Sequence, residues 1–228
     1  MSPPQVASRW PELLTAAFEI IDDVNRDYEL LTGWTFGGGT AMMIQIDHRE
    51  SHDIDLFLDD VQLLPYVEAA VAEMKFSLGE PTYNGDGTGH IKVAFDGIGE
   101  IDFIVTAHMT DPPSQTRELQ GRDVELETIP EIIAKKVRFR GFSIQPRDIF
   151  DIAAACEAGF REEIITTLAE IPEYVEGTLA TLAKLSVIYV NSSNAQLMLK
   201  PDSNHLVDKA YDITTEVLAE TLRRLAKP

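Results

Sequence analysis

The chain has 228 residues, 44% hydrophobic and 25% charged, with a formal net charge of −19. That length can bury one sizeable core, or one compact domain with a helical extension. No run approaches the roughly 18–20 apolar residues of a membrane span, and so acidic a chain argues against a broad nucleic-acid-binding surface, which needs clustered Lys and Arg.

The opening MSPPQVASRW lacks the basic-then-apolar pattern of a secretory signal. Cys156, the single cysteine, cannot form an internal disulfide and reads as a small buried residue of an apolar helical stretch. These features lead us to expect a cytoplasmic protein that does not enter a membrane.

Pro11 followed by Leu13, Leu14, Ala17, Phe18, Ile20, Ile21 and Val24 predicts an amphipathic first helix. A short stretch, Gly33-Trp-Thr-Phe36, leads into three glycines, and residues 41–46 read as a short buried helix. Polar residues 48–52 suit a loop, and the alternation Asp53-Ile-Asp-Leu-Phe-Leu suits a strand with one buried face. Asp60 is placed to cap a helix over 61–76 that begins near Pro65. Residues 83–90 read as loop or hairpin. Residues 91–95 and 100–105 read as an antiparallel pair around Asp96-Gly97, and a second pair flanks Gln120-Gly121. From Pro130 the pattern is helical nearly to the end, broken at Gly141, Pro146, Gly159, Pro172 and residues 191–204. The fold class is therefore α+β with a helical C-terminal region.

Residues 38–57, GGTAMMIQIDHRESHDIDLF, carry the chemistry. Asp53 and Asp55, two apart on a strand, point to one face and repel each other unless a cation lies between them. Hard carboxylate ligands suit Mg²⁺, which keeps its remaining positions for water and substrate phosphates. A third carboxylate should come from a neighbouring strand, and Asp102, bordering the apolar Phe-Ile-Val, is the choice over Glu100. Upstream, Gly38, Gly39 and Thr40 let backbone approach a ligand and offer N–H groups and a hydroxyl to phosphate. A nucleoside triphosphate satisfies both elements.

Each feature alone has a plainer reading: a solvated strand end for Asp-x-Asp, a turn for the glycines. A phosphatase-type Asp-x-Asp-x-Thr is disfavoured because Phe57 stands at the Thr position. His48 and His52 lie four apart but without a thiolate or third histidine nearby, which disfavours zinc. One window, residues 131–148, has five basic and two acidic residues, a concentration that needs a reason in this chain.

The stretch 38–57 closely resembles the first motif of the AbiEii-type nucleotidyltransferases, a branch of the DNA polymerase β-like superfamily that includes toxins of type IV toxin–antitoxin systems. The shared features are Gly-Gly-Thr-Ala and His48-Arg-x-Ser51-x-Asp-Ile-Asp-Leu-Phe. Ala134-Lys-Lys-Val-Arg-Phe-Arg-Gly and Pro146-Arg-Asp-Ile-Phe-Asp-Ile are similar to the family's later Lys-containing and Arg-Asp-x-x-Asp region. The resemblance spans residues 36–155.

It implies a polymerase-β-like catalytic core; with the helical pattern from Pro130, we expect that core over residues 1–128, with its N-terminal helix, and a helical region over 129–228 carrying a basic helix. It further implies Asp53 and Asp55 as metal ligands, Asp102 as the carboxylate that helps activate the attacking hydroxyl, and roles for Lys136 (by spacing, over Lys135) and Asp148. Two Mg²⁺ about 4 Å apart would bridge carboxylates and triphosphate. Lys136 and Arg140, on one helical face, and Arg49, as a bidentate clamp, are candidates for the phosphates, with Ser51 in the same motif. Asp148 has the alternative of capping the helix that follows it or orienting Lys136.

The expected activity is Mg²⁺-dependent transfer of a nucleotide from an NTP to a hydroxyl of RNA, with tRNA in view, or of a protein. A cognate antitoxin is the expected partner. The alternative is a module of the same fold that holds a nucleotide or partner without turnover.

Overall fold

The computed structural model describes residues 7–226; the first six residues, part of the stretch read above for a signal, and the last two lie outside the described residues. The backbone divides into two units. The first takes the chain up to Ala41, Ser51–His108 and Ser114–Glu127. The second takes Met42–Glu50, Met109–Pro113 and everything from Thr128 on.

The first unit is built on one seven-stranded mixed sheet. Its elements are α1 (Trp10–Val24), β1 (Thr35–Gly37), β2 (Ile54–Leu58), α3 (Leu64–Glu73), β3 (Thr82–Gly85), β4 (His90–Phe95), β5 (Gly99–Val105), β6 (Ser114–Leu119) and β7 (Arg122–Glu127). Between β1 and β2 runs α2 (Gly38–Ile46), whose first turn belongs to this unit. Strand order is β3-β4-β5-β2-β1-β7-β6. β2 runs parallel to β5 and β1 parallel to β7, while every other neighbouring pair is antiparallel.

The alternation expected of the strands is what sorts the two faces. Ile54, Leu56 and Leu58 of β2, Ile91, Val93 and Phe95 of β4, and Ile101 and Phe103 of β5 are buried together. α1 and α3 pack on this face. Leu13, Leu14, Ala17, Ile20 and Ile21 of α1 lose nearly all their solvent exposure there, each larger side chain contributing about 1.5–3 kcal/mol by leaving water. Both helices carry proline in the first turn, where no N–H partner is lost. The residues alternating with these apolar positions, Asp55, Glu100, Asp102, His90 and Lys92, therefore share the opposite face, and Asp53 immediately precedes β2.

Two local differences from the sequence reading have simple causes. The helix expected over 61–76 is a 3₁₀ turn, Val61–Leu63, followed by α3, because Pro65 suits only a first turn. Residues 83–90, read as loop or hairpin, form a hairpin whose first arm, Thr82–Gly85, pairs with β4 as an edge strand with every residue exposed. Its lack of an apolar face is why alternation did not reveal it.

The second unit is helical: α4 (Ile129–Arg140), α5 (Pro146–Ala155), α6 (Arg161–Leu168), α7 (Pro172–Leu182), α8 (Val187–Asn194) and α9 (Ala210–Leu225). Thr128 caps α4 by accepting the Glu131 N–H. α5 packs against α8 and α9, α7 against α9, and α4 against α6. Ile149, Phe150, Ile152, Ile165, Val175, Val217 and Leu218 form the centre. A π-helical turn at Cys156–Phe160, with Gly159 at φ 103°, redirects the chain from α5 into α6. Among the described residues, no helix is long and apolar enough to cross a membrane.

Candidate active site

In the first unit the parallel register of β2 and β5 sets Asp55 directly beside Asp102. Paired residues of neighbouring strands project to the same face, and Asp53 immediately precedes β2, two residues upstream of Asp55. Asp53 is held in place from two sides. Its Oδ1 accepts the Glu100 N–H at 3.2 Å, and its carbonyl accepts the Thr40 hydroxyl at 2.5 Å. The hydroxyl expected to face phosphate thus ties the first turn of α2 to the start of the acidic strand.

The glycines sit against the same carboxylates. Gly37 pairs with Asp55 across β1 and β2. Gly38 has φ +70°, and a Cβ there would run into the Asp55 carboxyl group. Only glycine meets both demands without strain. α2 therefore begins at Asp55, and the positive end of a nine-residue helix faces the acidic strand.

Asp102 is the most enclosed of the three carboxylates. Burial lifts its carboxyl above the ordinary range, opposed by its hydrogen bond to His90 and by the charge of Lys92. His90 Nε2 is 2.5 Å from Asp102 Oδ1, and Lys92 Nζ is 4.0 Å from it. Lys92 also pairs with Glu100, which raises the Lys92 pKa. Neither residue figured in the sequence reading. The signal available for Lys92 was its alternation with buried Ile91 and Val93 on a strand next to the acidic one.

The chemistry of these residues suits a hard divalent cation. Asp55 and Asp102, side by side on β2 and β5, and Asp53 just before β2 offer carboxylate oxygens, and the buried Asp102 sits where added positive charge would restore it to the usual range.

The second unit gathers Arg49, Lys136, Arg140 and Asp148 around the α5 carboxylates, among them Asp151, which the sequence reading left outside the site. Asp151 has no solvent exposure. Its carboxylate accepts Arg49 Nε at 2.7 Å and Nη2 at 2.9 Å, meets His48 Nε2 at 2.9 Å, and pairs with Lys136 Nζ at 3.0 Å. Burial pushes its carboxyl up, but Arg49, Lys136 and His48 outweigh that and hold it well below the usual range.

Lys136 also reaches Asp148 Oδ1 at 3.2 Å. Asp148 accepts the Gln145 N–H at the start of α5 and pairs with Arg140 at 3.3 Å, so it caps the helix and orients the lysine at once. Lys135 pairs with Glu131 at 3.2 Å. Arg49's guanidinium is engaged with Asp151 and the Glu50 carbonyl, which a clamped phosphate would have to displace. Ser51 is buried, its carbonyl accepting the Ser8 hydroxyl. The Arg-Asp-x-x-Asp spacing already put Asp148 and Asp151 one turn apart on α5; what the sequence did not show is that both point at α4.

Comparison with solved structures gives the fold. MenT4, a nucleotidyltransferase toxin from Mycobacterium tuberculosis, superposes with a TM-score of 0.51 at 15% identity, over 93% of this chain and 87% of that one. JHP933 from Helicobacter pylori gives 0.49 at 15% identity, over 97% and 96%. No match is found among curated proteins. A family model, the nucleotidyl transferase AbiEii toxin of type IV toxin–antitoxin systems, matches residues 22–214. With the acidic strand, its glycine helix and the polymerase-β-like sheet in place, that match assigns the chain to the AbiEii nucleotidyltransferase toxin family.

Proposed function

We propose that this nucleotidyltransferase uses Mg²⁺ to transfer a nucleotide from an NTP to a hydroxyl of RNA, with tRNA the acceptor class in view, or of a protein. The observation that carries the reading is the register that puts Asp55 beside Asp102, with Asp53 just before the same strand and Gly38 against Asp55. Asp53, Asp55 and Asp102 would hold the metal. When bound, two Mg²⁺ neutralise the triphosphate and ease ionisation of the acceptor hydroxyl.

The chain's own residues do the positioning. Gly38, Gly39 and Thr40 open α2 where phosphate oxygens meet backbone N–H groups. Because the Thr40 hydroxyl is bonded to the Asp53 carbonyl, the phosphate grip and the acidic strand hold one fixed spacing. In the transfer a bond forms between the acceptor oxygen and the α-phosphorus, the α–β anhydride bond breaks, and pyrophosphate leaves. Asp102 is the carboxylate assigned to take the acceptor proton. Arg49, Lys136, Arg140 and Asp148 serve in this reading as the charged frame of the helical unit, and Ser51 as a residue of the nucleotide-binding motif before the acidic strand. An antitoxin encoded for this toxin is the proposed protein partner.

The test is a labelling screen with each α-labelled NTP and mixed RNA and protein acceptors. Wild type labels an acceptor when Mg²⁺ is present, and Asp55→Ala, folded by its circular dichroism, labels none. Transfer persisting in Asp55→Ala overturns the site.

A further inference from the structure

We infer that His90 is a positioning residue for Asp102, and that the turn built on Asp86 aims it. The inference rests on the reading of Asp102 as a metal-ligating carboxylate.

β4 pairs with β5 so that Lys92 lies opposite Asp102 and His90 opposite Ile104, which puts His90 on the carboxylate face one pleat further along. Its Nε2 is 2.5 Å from Asp102 Oδ1. With the carboxylate ionised, Nε2–H is the donor. An aspartate has two free side-chain rotations. A donor that captures one oxygen also decides where the other points. Hydrogen-bond partners of this kind around ligating groups are worth roughly 10–100-fold in metal affinity or activity.

The imidazole is not a packed core group. It is partly exposed and borders an open cleft of about 190 Å³ with Gly85, Gly87, Val61 and Leu64. Its direction is set by the backbone instead. Asp86 Oδ1 accepts the N–H groups of Thr88 and Gly89 at 2.8 Å and of His90 itself at 3.0 Å. Gly87 at φ +70° allows the chain to wrap that oxygen, and the Gly89 carbonyl accepts the Val105 N–H at 2.7 Å, fastening the turn to the end of β5. The N–H groups of Gly89, Thr88 and His90 hold the Asp86 carboxyl down at about 2, so the brace persists at any working pH. Asp86 thus fixes the His90 backbone, and His90 fixes the Asp102 carboxylate. This gives the glycine-rich stretch 84–89 a purpose that its loop composition did not suggest.

The test uses the full chain with Mn²⁺ as the probe, binding read by electron paramagnetic resonance, together with kcat and the KM for NTP in the labelling assay. His90→Ala is expected to weaken Mn²⁺ binding and lower kcat by about 10–100-fold, with KM for NTP within about twofold and the thermal midpoint unmoved. His90→Gln, whose amide can donate to the same oxygen, is expected to recover most of both, and Asp86→Ala to fall between wild type and His90→Ala. Wild-type Mn²⁺ affinity and kcat in His90→Ala, or a glutamine variant as impaired as the alanine one, overturns the inference while leaving the metal site standing. No Mn²⁺ binding by wild type would sink the metal reading and this inference with it.

Discussion

At Gly38 two constraints meet, a left-handed backbone and a carboxylate where a side chain would go. Gly38→Ala is expected to cost about 1–3 kcal/mol in backbone strain and to push Asp55 off its place beside Asp102. A thermal melt and the labelling assay together measure this. A fall in transfer of at least tenfold is expected, and an alanine variant equal to wild type in both would show that the crowding is absent. The Gly-Gly-Thr and Asp-x-Asp were legible in the sequence because local geometry alone dictates glycine at a positive φ and puts i and i+2 on one face of a strand. The partners of these residues were not legible. The Thr40 hydroxyl reads as a phosphate donor until the fold shows the Asp53 carbonyl taking it. His90 and Lys92 acquire meaning only from the pairing of β4 with β5.

Among the elements, α4 and α5 are joined by charge as much as by apolar packing. Asp151 is a carboxylate without solvent, and its removal leaves Arg49 and Lys136 buried without their main acceptor. Asp151→Ala should therefore lower unfolding stability by about 3–5 kcal/mol, read from urea denaturation. The same residue predicts a pH dependence. Its folded pKa lies well below the unfolded value of about 3.9, so its contribution is complete near pH 6 and drains away as pH falls below about 4. In Asp151→Asn that part of the acid destabilisation should vanish, and an unchanged slope between pH 6 and pH 3 would count against the ionised cluster. From sequence, the basic window 131–148 was visible as an anomaly of charge, and its helix was expected. Its use was not, since the acidic partners Asp148 and Asp151 on α5 neutralise Lys136, Arg140 and Arg49, cations that a linear reading offers to phosphate.

For the molecule as a whole, −19 charges and membership of a toxin family make an expectation that no single element carries. Induced expression should arrest growth, and Asp55→Ala, at equal expression, should not. Equal arrest by both would separate toxicity from nucleotidyl transfer. The acidic balance also bears on the acceptor: a polyanion meets net repulsion beyond a Debye length of about 8 Å, so productive contact must be local.

By itself, the sequence determined the helices of both units, the paired strands around Asp96-Gly97 and Gln120-Gly121, the acidic strand and its glycine helix, and through the motif the family to which the chain belongs. All of these rest on contacts within a few residues or on periodicity, which a linear text preserves. Only the tertiary structure decided that β2 lies parallel to β5, with Asp55 beside Asp102, that the edge strand Thr82–Gly85 exists, and that Arg49 and Lys136 spend their charge on Asp151. Each of these depends on which of several available partners a group meets. That choice belongs to long-range packing, where burial penalises any charge left unpaired.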